Sequence, residues 1–183
     1  MTVKERTRLG GRSARIQASV HEAVEQLSAE MDRAELAVPA IAARAGVTPS
    51  TIYRRWGGLA ELLADVAVKR LRPIADPVDT GSAKGDLSAW AEQYMEEMSS
   101  ELGRAMLRDV CSSSQEADAV RCCTYTTDHL QILAERAARR GEQLDPGEAL
   151  DHVVAPIMYR ILFGGGPLDQ AYVQGLIDHL MPT

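Results

Sequence analysis

The sequence predicts an all-α protein. Apolar residues recur at intervals of three and four along most of its 183 residues, which is the period of helices with one buried face. Pro and Gly stand where such helices would begin and end. The alternating pattern of a half-buried strand is not seen in the sequence, and there is no internal repeat. A chain of this length with 45% hydrophobic residues can bury a core without disulfides or metals.

The first part of the chain contains the patterns of four helices. Apolar spacing predicts helices over residues 13–29, 39–45, 49–56 and 59–71. Gly46 separates the second and third helices with only a few neighbours, so a tight corner is expected there.

A boundary between two domains is expected at residues 73–84, where Pro and Gly accumulate. Helical patterns resume over 86–98 and 102–111. Ser113 and Glu116 have the spacing of a capping box and predict a long helix that ends near Gly141. Two further helices are expected, residues 146–163 with a kink at Pro156, and residues 169–181.

The net charge of −6 is unevenly distributed. Through Arg72 the chain has 12 Lys and Arg against 8 Asp and Glu, whereas the remainder has 8 against 18. A basic front suits a polyanionic partner, and residues 1–15 are predicted to form a flexible basic arm. Neither a membrane span nor an apolar signal segment is apparent, so a cytoplasmic location without membrane partners is expected.

Two short helices joined at a glycine corner are typical of the helix-turn-helix, whose second helix enters the major groove of DNA. If Ile52 and Trp56 face the core, the 100° step of the helix turns several polar side chains outward. Arg and hydroxyl groups read base edges, and Tyr and Arg also bind phosphates. The predicted DNA-binding residues are Arg12, Arg15, Thr48, Pro49, Ser50, Thr51, Tyr53, Arg54 and Arg55.

The stretch IAARAGVTPSTIYRRW, followed by LAELL, resembles the signature of the tetracycline-repressor-like (TetR) family of bacterial regulators. The resemblance covers residues 16–71 and implies a DNA-binding domain at 16–58, a connecting helix at 59–72 and a ligand-binding, dimerising domain at 73–183. It places Tyr53 on the DNA backbone, Arg55 where the family often has His, and Trp56 where it has Phe. Leu59 departs from the family, which commonly has a phosphate-binding Lys there, and the basic arm is the expected substitute.

The resemblance also implies a small-molecule effector and a homodimer that binds double-stranded DNA, without a cofactor. Apolar walls with a few polar groups are typical of ligand sites, and a largely apolar or aromatic effector is expected. The candidate ligand residues are Trp90, Tyr94, Met95, Met98, Met106, Val110, Cys122, Tyr125, Thr126 and His129. The candidate dimer-interface residues are Val153, Ile157, Ile161, Tyr172, Val173, Leu176, Ile177 and Leu180. A repressor released from a palindromic operator is the leading hypothesis.

Other functions remain open from the sequence. Cys122 and Cys123 allow a redox-responsive regulator, and a non-catalytic helical protein that binds small molecules is a second alternative. Catalysis is not expected, because no motif pairs a nucleophile with a base. Metal binding through His129 or His152 has no support from ligand spacing, and none is expected.

Overall fold

The computed structural model describes residues 10–182, and this part of the chain is helical without strands. The helices are α1 (Gly10–Glu30), α2 (Val38–Ala45), α3 (Pro49–Trp56), α4 (Leu59–Arg70), α5 (Ala83–Ser99), α6 (Glu101–Ser112), α7 (Glu116–Arg139), α8 (Pro146–Ala149), α9 (Ala155–Phe163) and α10 (Gln170–Leu180). The predicted all-α class is confirmed. None of the helices between residues 10 and 182 is both long enough and apolar enough to cross a bilayer.

The first helix begins earlier than its apolar pattern indicated. α1 includes Gly10 to Arg15, so the described end of the predicted flexible arm is helical, and that prediction was wrong for these residues. Polar residues favour a solvated turn without excluding a helix, because the end of a helix needs no buried face. Residues 1–9 of the predicted arm lie outside the described part.

Helices α1 to α4 enclose one apolar core, and we call this unit the head. Val20, Val24 and Leu27 of α1 meet Ile41 of α2 in this core, and α3 and α4 close it with Ile52, Trp56, Leu62, Leu63 and Val66. A 3₁₀ turn at Arg33–Glu35, which the sequence did not predict, connects α1 to α2. The four helices otherwise lie where the periodicity placed them.

Helices α5 to α10 share a second core, with α4 as the link between the two. Leu87, Trp90, Leu130, Ile157 and Ile177 are at its centre. Further along α4, Ala67 and Val68 pack with Val110 of α6, and Cys122 and Tyr125 of α7 border this contact. The C-terminal half of α4 is therefore buried by the second unit, while its N-terminal half belongs to the head.

Two helix boundaries differ from the sequence prediction for identifiable reasons. Ser82 caps α5 by accepting from the Gly85 N–H, so Ala83 and Lys84 are helical although the domain boundary was expected to extend through them. Ser113 does not cap α7, because its hydroxyl donates to Asp118 and accepts from the Gln115 N–H, and the predicted capping box is not formed.

A π-helical turn over Leu150–Val154 immediately precedes Ala155 and Pro156, where a kink was predicted. The Ala155 N–H binds the carbonyl of Leu150, five residues back. Pro156 has no N–H and its ring crowds the carbonyl four residues before it, so a regular α-helix cannot continue through this position.

Candidate nucleic-acid interface

The corner between α2 and α3 is closed by a glycine motif. Gly46 has φ 68° and ψ 30°, a left-handed conformation that costs glycine little. The Val47 N–H donates to the Ala42 carbonyl at 3.0 Å and the Gly46 N–H to Ala43 at 3.3 Å, which is the Schellman pattern. Val47 then packs on the head core, so the motif fixes the direction in which the chain enters α3.

Helix α3 has a buried face and an exposed polar face. Ile52 is fully buried and Trp56 is 6% exposed, whereas Ser50 and Arg54 are exposed and Tyr53 is 52% exposed. Thr48 and Pro49 are exposed at the start of the helix and Thr51 is half-buried. Apart from the half-buried Thr51, the residues around α3 that the sequence predicted to bind DNA are therefore exposed to solvent.

Thr48 stands at the N-cap position, but its side chain does not cap α3. Its hydroxyl instead lies 2.9 Å from the Ser50 hydroxyl and 3.0 Å from that of Thr51. The Thr48 hydroxyl thus bonds the hydroxyls of Ser50 and Thr51 instead of a backbone N–H at the start of α3. They form a compact donor and acceptor group at the N-terminal end of α3.

Arg55 is exposed but is engaged by α1. Its guanidinium donates to the Ser13 hydroxyl at 2.6 Å, the Ser13 carbonyl at 3.2 Å and the Gln17 Oε1 at 2.6 Å, and lies 5.1 Å from the Trp56 ring centroid. In this structure Arg55 therefore holds the C-terminal end of α3 against the first turns of α1. Arg12 and Arg15 are exposed on those same turns of α1.

Leu59, at the position where the resemblance implied a phosphate-binding Lys, is half-buried at the start of α4 and packs on the head core. Its side chain is apolar and faces the protein, so it provides no cation for a phosphate.

A buried carboxylate that the sequence analysis missed joins four helices behind α3. Asp65 of α4 accepts from Trp56 Nε1 at 2.9 Å and from Gln17 Nε2 at 3.1 Å, and it lies 2.8 Å from His21 Nε2. Its other oxygen accepts from Arg121 of α7 at 3.0 Å. Burial alone would raise the pKa of Asp65, but the bonds from His21, Trp56 and Arg121 outweigh it and hold the pKa well below its ordinary value.

A signal for this carboxylate was present in the sequence. Asp65 interrupts the apolar run LLADVAV, and an aspartate in such a run is expected only where donors surround it. The identity of those donors depends on tertiary contacts, which periodicity does not provide.

Comparison with known proteins agrees with this arrangement. The model of bacterial regulatory proteins of the tetR family matches residues 22–66, and the model of the tetracyclin repressor-like C-terminal domain matches residues 77–180. The second match alone covers more than half of the chain. This chain belongs to the TetR family.

Relatives and solved structures of the TetR family extend the match over most of the chain. A DNA-binding transcriptional repressor TetR of Mycobacteroides abscessus is 32% identical over 77% of this chain and 78% of its own. An uncharacterised HTH-type transcriptional regulator of Mycobacterium tuberculosis is 28% identical over 80% and 76%, respectively. A TetR regulator structure from Rhodococcus sp. RHA1 has a TM-score of 0.61 at 18% identity, covering 93% of this chain and 97% of that one. These proteins are transcriptional regulators, a non-enzymatic class.

The candidate ligand residues of this TetR-family chain lie in the second unit and form two adjoining groups. Trp90, Met95 and Met98 belong to its main core, with Tyr94 packed on them. Val110 lies at the contact between α4 and α6, bordered by Met106, Cys122 and Tyr125. An open groove of about 600 Å³ lies elsewhere, at the ends of α7 and α10, and shares no residue with either group.

Polar contacts connect α5 to α7 within the first group. Trp90 Nε1 donates to His129 Nδ1 at 3.0 Å, and the Trp90 and Tyr94 rings stack with centroids 5.2 Å apart. Burial raises the pKa of Tyr94 to about 12, against a hydrogen bond with Thr126 that lowers it, so the phenol is neutral at physiological pH. Burial also disfavours the charged form of His129 and so lowers its pKa. The imidazole is therefore neutral, and its Nδ1 can accept the hydrogen bond from Trp90.

The cysteines and histidines give no support to redox or metal sensing. Burial raises the pKa of Cys122 to about 11, and the neighbouring thiols Cys123 and Cys111 add to the rise. Its thiol therefore stays protonated at neutral pH, unlike a reactive cysteine. Within residues 10–182, His, Cys, Asp and Glu are nowhere grouped by threes as metal ligands would be.

The predicted dimer residues require a correction. Val153, Ile157, Ile161, Val173 and Ile177 are buried in the chain's own core, so their side chains are not available to a second subunit. Tyr172, Leu176 and Leu180 are half-buried. Periodicity identified the apolar stripe correctly, but it could not distinguish an intramolecular from an intermolecular partner. The exposed large apolar residues of α9 are Tyr159, Leu162 and Phe163.

Proposed function

We propose that this TetR-family regulator is a homodimeric repressor that binds a palindromic operator and is released from it by a small, largely apolar or aromatic effector. The observation that carries the proposal is α3 itself, whose apolar face is fixed in the head core while Ser50, Tyr53 and Arg54 are turned to solvent. The M. abscessus relative is described as a DNA-binding transcriptional repressor, which supports the same role here. A cytoplasmic location is part of this proposal.

The DNA contacts follow from side-chain chemistry. Arg54 reads a base edge, most favourably guanine, because a guanidinium can donate two parallel hydrogen bonds there. Tyr53 binds the phosphate backbone. The three clustered hydroxyls of Thr48, Ser50 and Thr51 contact bases or phosphates at the start of α3. Arg12 and Arg15 add sequence-independent phosphate contacts from α1. Arg55 supports α3 from behind rather than reading DNA.

The exposed residues of α9 provide the dimer interface. Tyr159 and Phe163 lie one turn apart with ring centroids 5.2 Å apart, and Leu162 is exposed beside them. An exposed aromatic patch on a helix is typical of a protein contact. A twofold axis through this patch repeats it on both subunits and presents two copies of α3 to half-sites roughly 34–36 Å apart.

The effector site lies between α5 and α7, at Trp90, Tyr94, Thr126 and His129. Stacked aromatic rings and two methionines give adaptable apolar walls, while the imidazole and the hydroxyls give directional hydrogen bonds. Effector binding favours a dimer geometry in which the two α3 helices no longer match successive grooves, so release is a population shift.

Selection of duplexes from random DNA tests the DNA-binding part. Wild type is expected to enrich a palindrome, and Arg54→Ala to lose preference at one base position in each half-site. Arg12→Ala is expected to weaken all sequences alike and to reduce the salt dependence, and Arg139→Ala, an exposed site in the second unit, serves as the control. Enrichment of no sequence by wild type at moderate salt would contradict the proposal.

Sedimentation analysis tests the dimer. Tyr159→Ser combined with Phe163→Ser is expected to give monomers, whereas Ile74→Ser, which removes a fully exposed apolar side chain elsewhere, leaves the dimer intact. A double variant that sediments as wild type would move the interface away from α9.

Thermal-shift screening with aromatic and aliphatic compounds tests the effector site, because a ligand that binds the folded state raises the melting temperature. The expected compounds raise it for wild type, raise it less for Tyr94→Ala, and reduce operator binding. Compounds that stabilise both proteins equally would place the site elsewhere.

A further inference from the structure

The end of α3 is connected to α7 of the second unit through polar contacts that cross between the two cores. We propose that Asp65 is the positioning residue of the DNA-reading helix, and that Arg121 makes this position depend on α7. The inference rests on the proposed function and specifies how the two units of this chain communicate.

Asp65 receives donors from three neighbouring helices. Gln17 and His21 reach it from α1, Trp56 from the last turn of α3, and Arg121 from α7. The aspartate is buried, so a donor that withdraws leaves the carboxylate with one hydrogen bond fewer in a medium of low dielectric. Helix α3 therefore keeps its position relative to α4 only while this set of bonds is complete.

A second contact acts on the same residue of α3. The Trp56 carbonyl accepts from Gln115 Nε2 at 3.0 Å, and Gln115 is the residue immediately before α7. Two polar groups of Trp56 are thus hydrogen-bonded to other helices: the indole N–H donates to Asp65, and the backbone carbonyl accepts from Gln115. Ser114 adds a bond to Glu61 of α4 at 2.6 Å.

The position of Arg121 on α7 gives the network a route to the second unit. Its side chain is 46% exposed, so the bond to Asp65 can be broken at lower cost than the bonds from His21 or Trp56. The next residue, Cys122, and Tyr125 one turn further pack against Ala67 and Val68 of α4. A shift of α7 therefore moves Arg121 and Gln115 together, so the last turn of α3 loses its bond from Gln115 while Asp65, which accepts from Trp56, loses its bond from Arg121.

The experiment compares Arg121→Ala, Gln115→Ala and the control Arg139→Ala, an exposed arginine of the same helix. Binding is measured on the duplex that wild type selects, and amide hydrogen exchange is measured at residues 49–57. We expect Arg121→Ala to weaken DNA binding by roughly tenfold and to accelerate exchange selectively at 49–57, with a smaller change for Gln115→Ala and none for Arg139→Ala. Arg121→Lys is expected to restore part of both properties.

A double-mutant cycle with Asp65→Asn identifies the partner. If Arg121 acts through Asp65, Arg121→Ala has little further effect in the Asp65→Asn background. Should that variant fold poorly, the Arg121 and Gln115 variants decide the question alone, because both altered side chains are exposed.

Unchanged binding and unchanged exchange in Arg121→Ala would overturn the inference. Uniformly faster exchange over the whole chain, in step with a lower melting temperature, would also overturn it, because Arg121 would then be a general structural contact. Failure of wild type itself to bind DNA would reject the proposed function instead, and exchange at 49–57 would still decide whether Arg121 positions α3.

Discussion

The two tryptophans of the chain have the same exposure and opposite surroundings. Trp56 and Trp90 are each 6% exposed, and each donates its indole N–H to a side chain of another helix, at 2.9 and 3.0 Å. The acceptor of Trp56 is Asp65, a buried carboxylate with three further partners. The acceptor of Trp90 is His129, a half-buried neutral imidazole. The Trp90 ring also stacks on the ring of Tyr94.

This difference separates a rigid region from an adaptable one. Around Trp56, four side chains bind a buried carboxylate, and loss of any one of them leaves buried charge with fewer hydrogen bonds, so the last turn of α3 is firmly held. Around Trp90, the imidazole is accessible enough to exchange its partner for water or for a ligand group. The first environment suits a surface that must match DNA, and the second suits a site that must admit different molecules.

The largest expected effect is that of Trp56→Ala. The variant loses a large core side chain and leaves Asp65 without one donor, so we expect the free energy of unfolding to fall by about 3–5 kcal/mol. Urea denaturation followed by circular dichroism measures the change. A loss below about 1 kcal/mol would show that the head repacks freely and is not the rigid partner in this comparison.

A smaller substitution separates the two acceptors. Phe in place of either tryptophan removes the N–H and keeps most of the ring. We expect Trp56→Phe to cost about 1–3 kcal/mol, since it leaves a buried charge short of a donor, and Trp90→Phe to cost about 0.5–1.5 kcal/mol. Chemical denaturation of both variants under identical conditions provides the test, and equal losses would remove the distinction between the two sites.

Mild acid is expected to act on the second unit before the head. Because burial lowers the pKa of His129, the unfolded chain binds protons more readily there, and stability declines as pH falls below the ordinary histidine value of 6.5. Asp76, Asp128 and Glu97 oppose this shift, so the decline is small. The lowered pKa of Asp65 acts in the same direction but at lower pH, since its contribution to stability is retained until pH falls below its ordinary value of 3.8.

Melting curves at pH 7 and pH 5 measure this effect. Wild type is expected to lose more stability between the two values than His129→Gln, while Asp65 stays ionised throughout. An identical pH dependence in the two proteins would show that His129 does not contribute.

The head was predictable from sequence because its decisive features are local. Gly46, the Pro49 start signal and the spacing of Ile52 and Trp56 act within a few residues, and together they placed α3 between its observed ends. Arg55 was assigned to DNA by the same logic. Ser13 and Gln17, which accept its hydrogen bonds, lie about forty residues away in the chain, so no local sequence pattern predicts these contacts.

The second unit was less predictable because its helices have more than one possible partner. The apolar stripes containing Ile157 and Ile177 were assigned to a dimer, and the structure uses them in the chain's own core. A helical period defines which residues share a face, but it does not say what covers that face. The partners of Asp65 were unpredictable for the same reason, because its environment is assembled from four separate helices.

Photo-crosslinking from position 53 tests the central claim most directly. A photoreactive phenylalanine analogue replaces Tyr53, and the protein is irradiated on the duplex selected by wild type, with the same analogue at the exposed Ile74 position as the control. The account predicts a crosslink within each half-site from position 53 and none from position 74. Crosslinking from neither position, while the protein remains bound to the duplex, would show that the exposed face of α3 does not contact DNA.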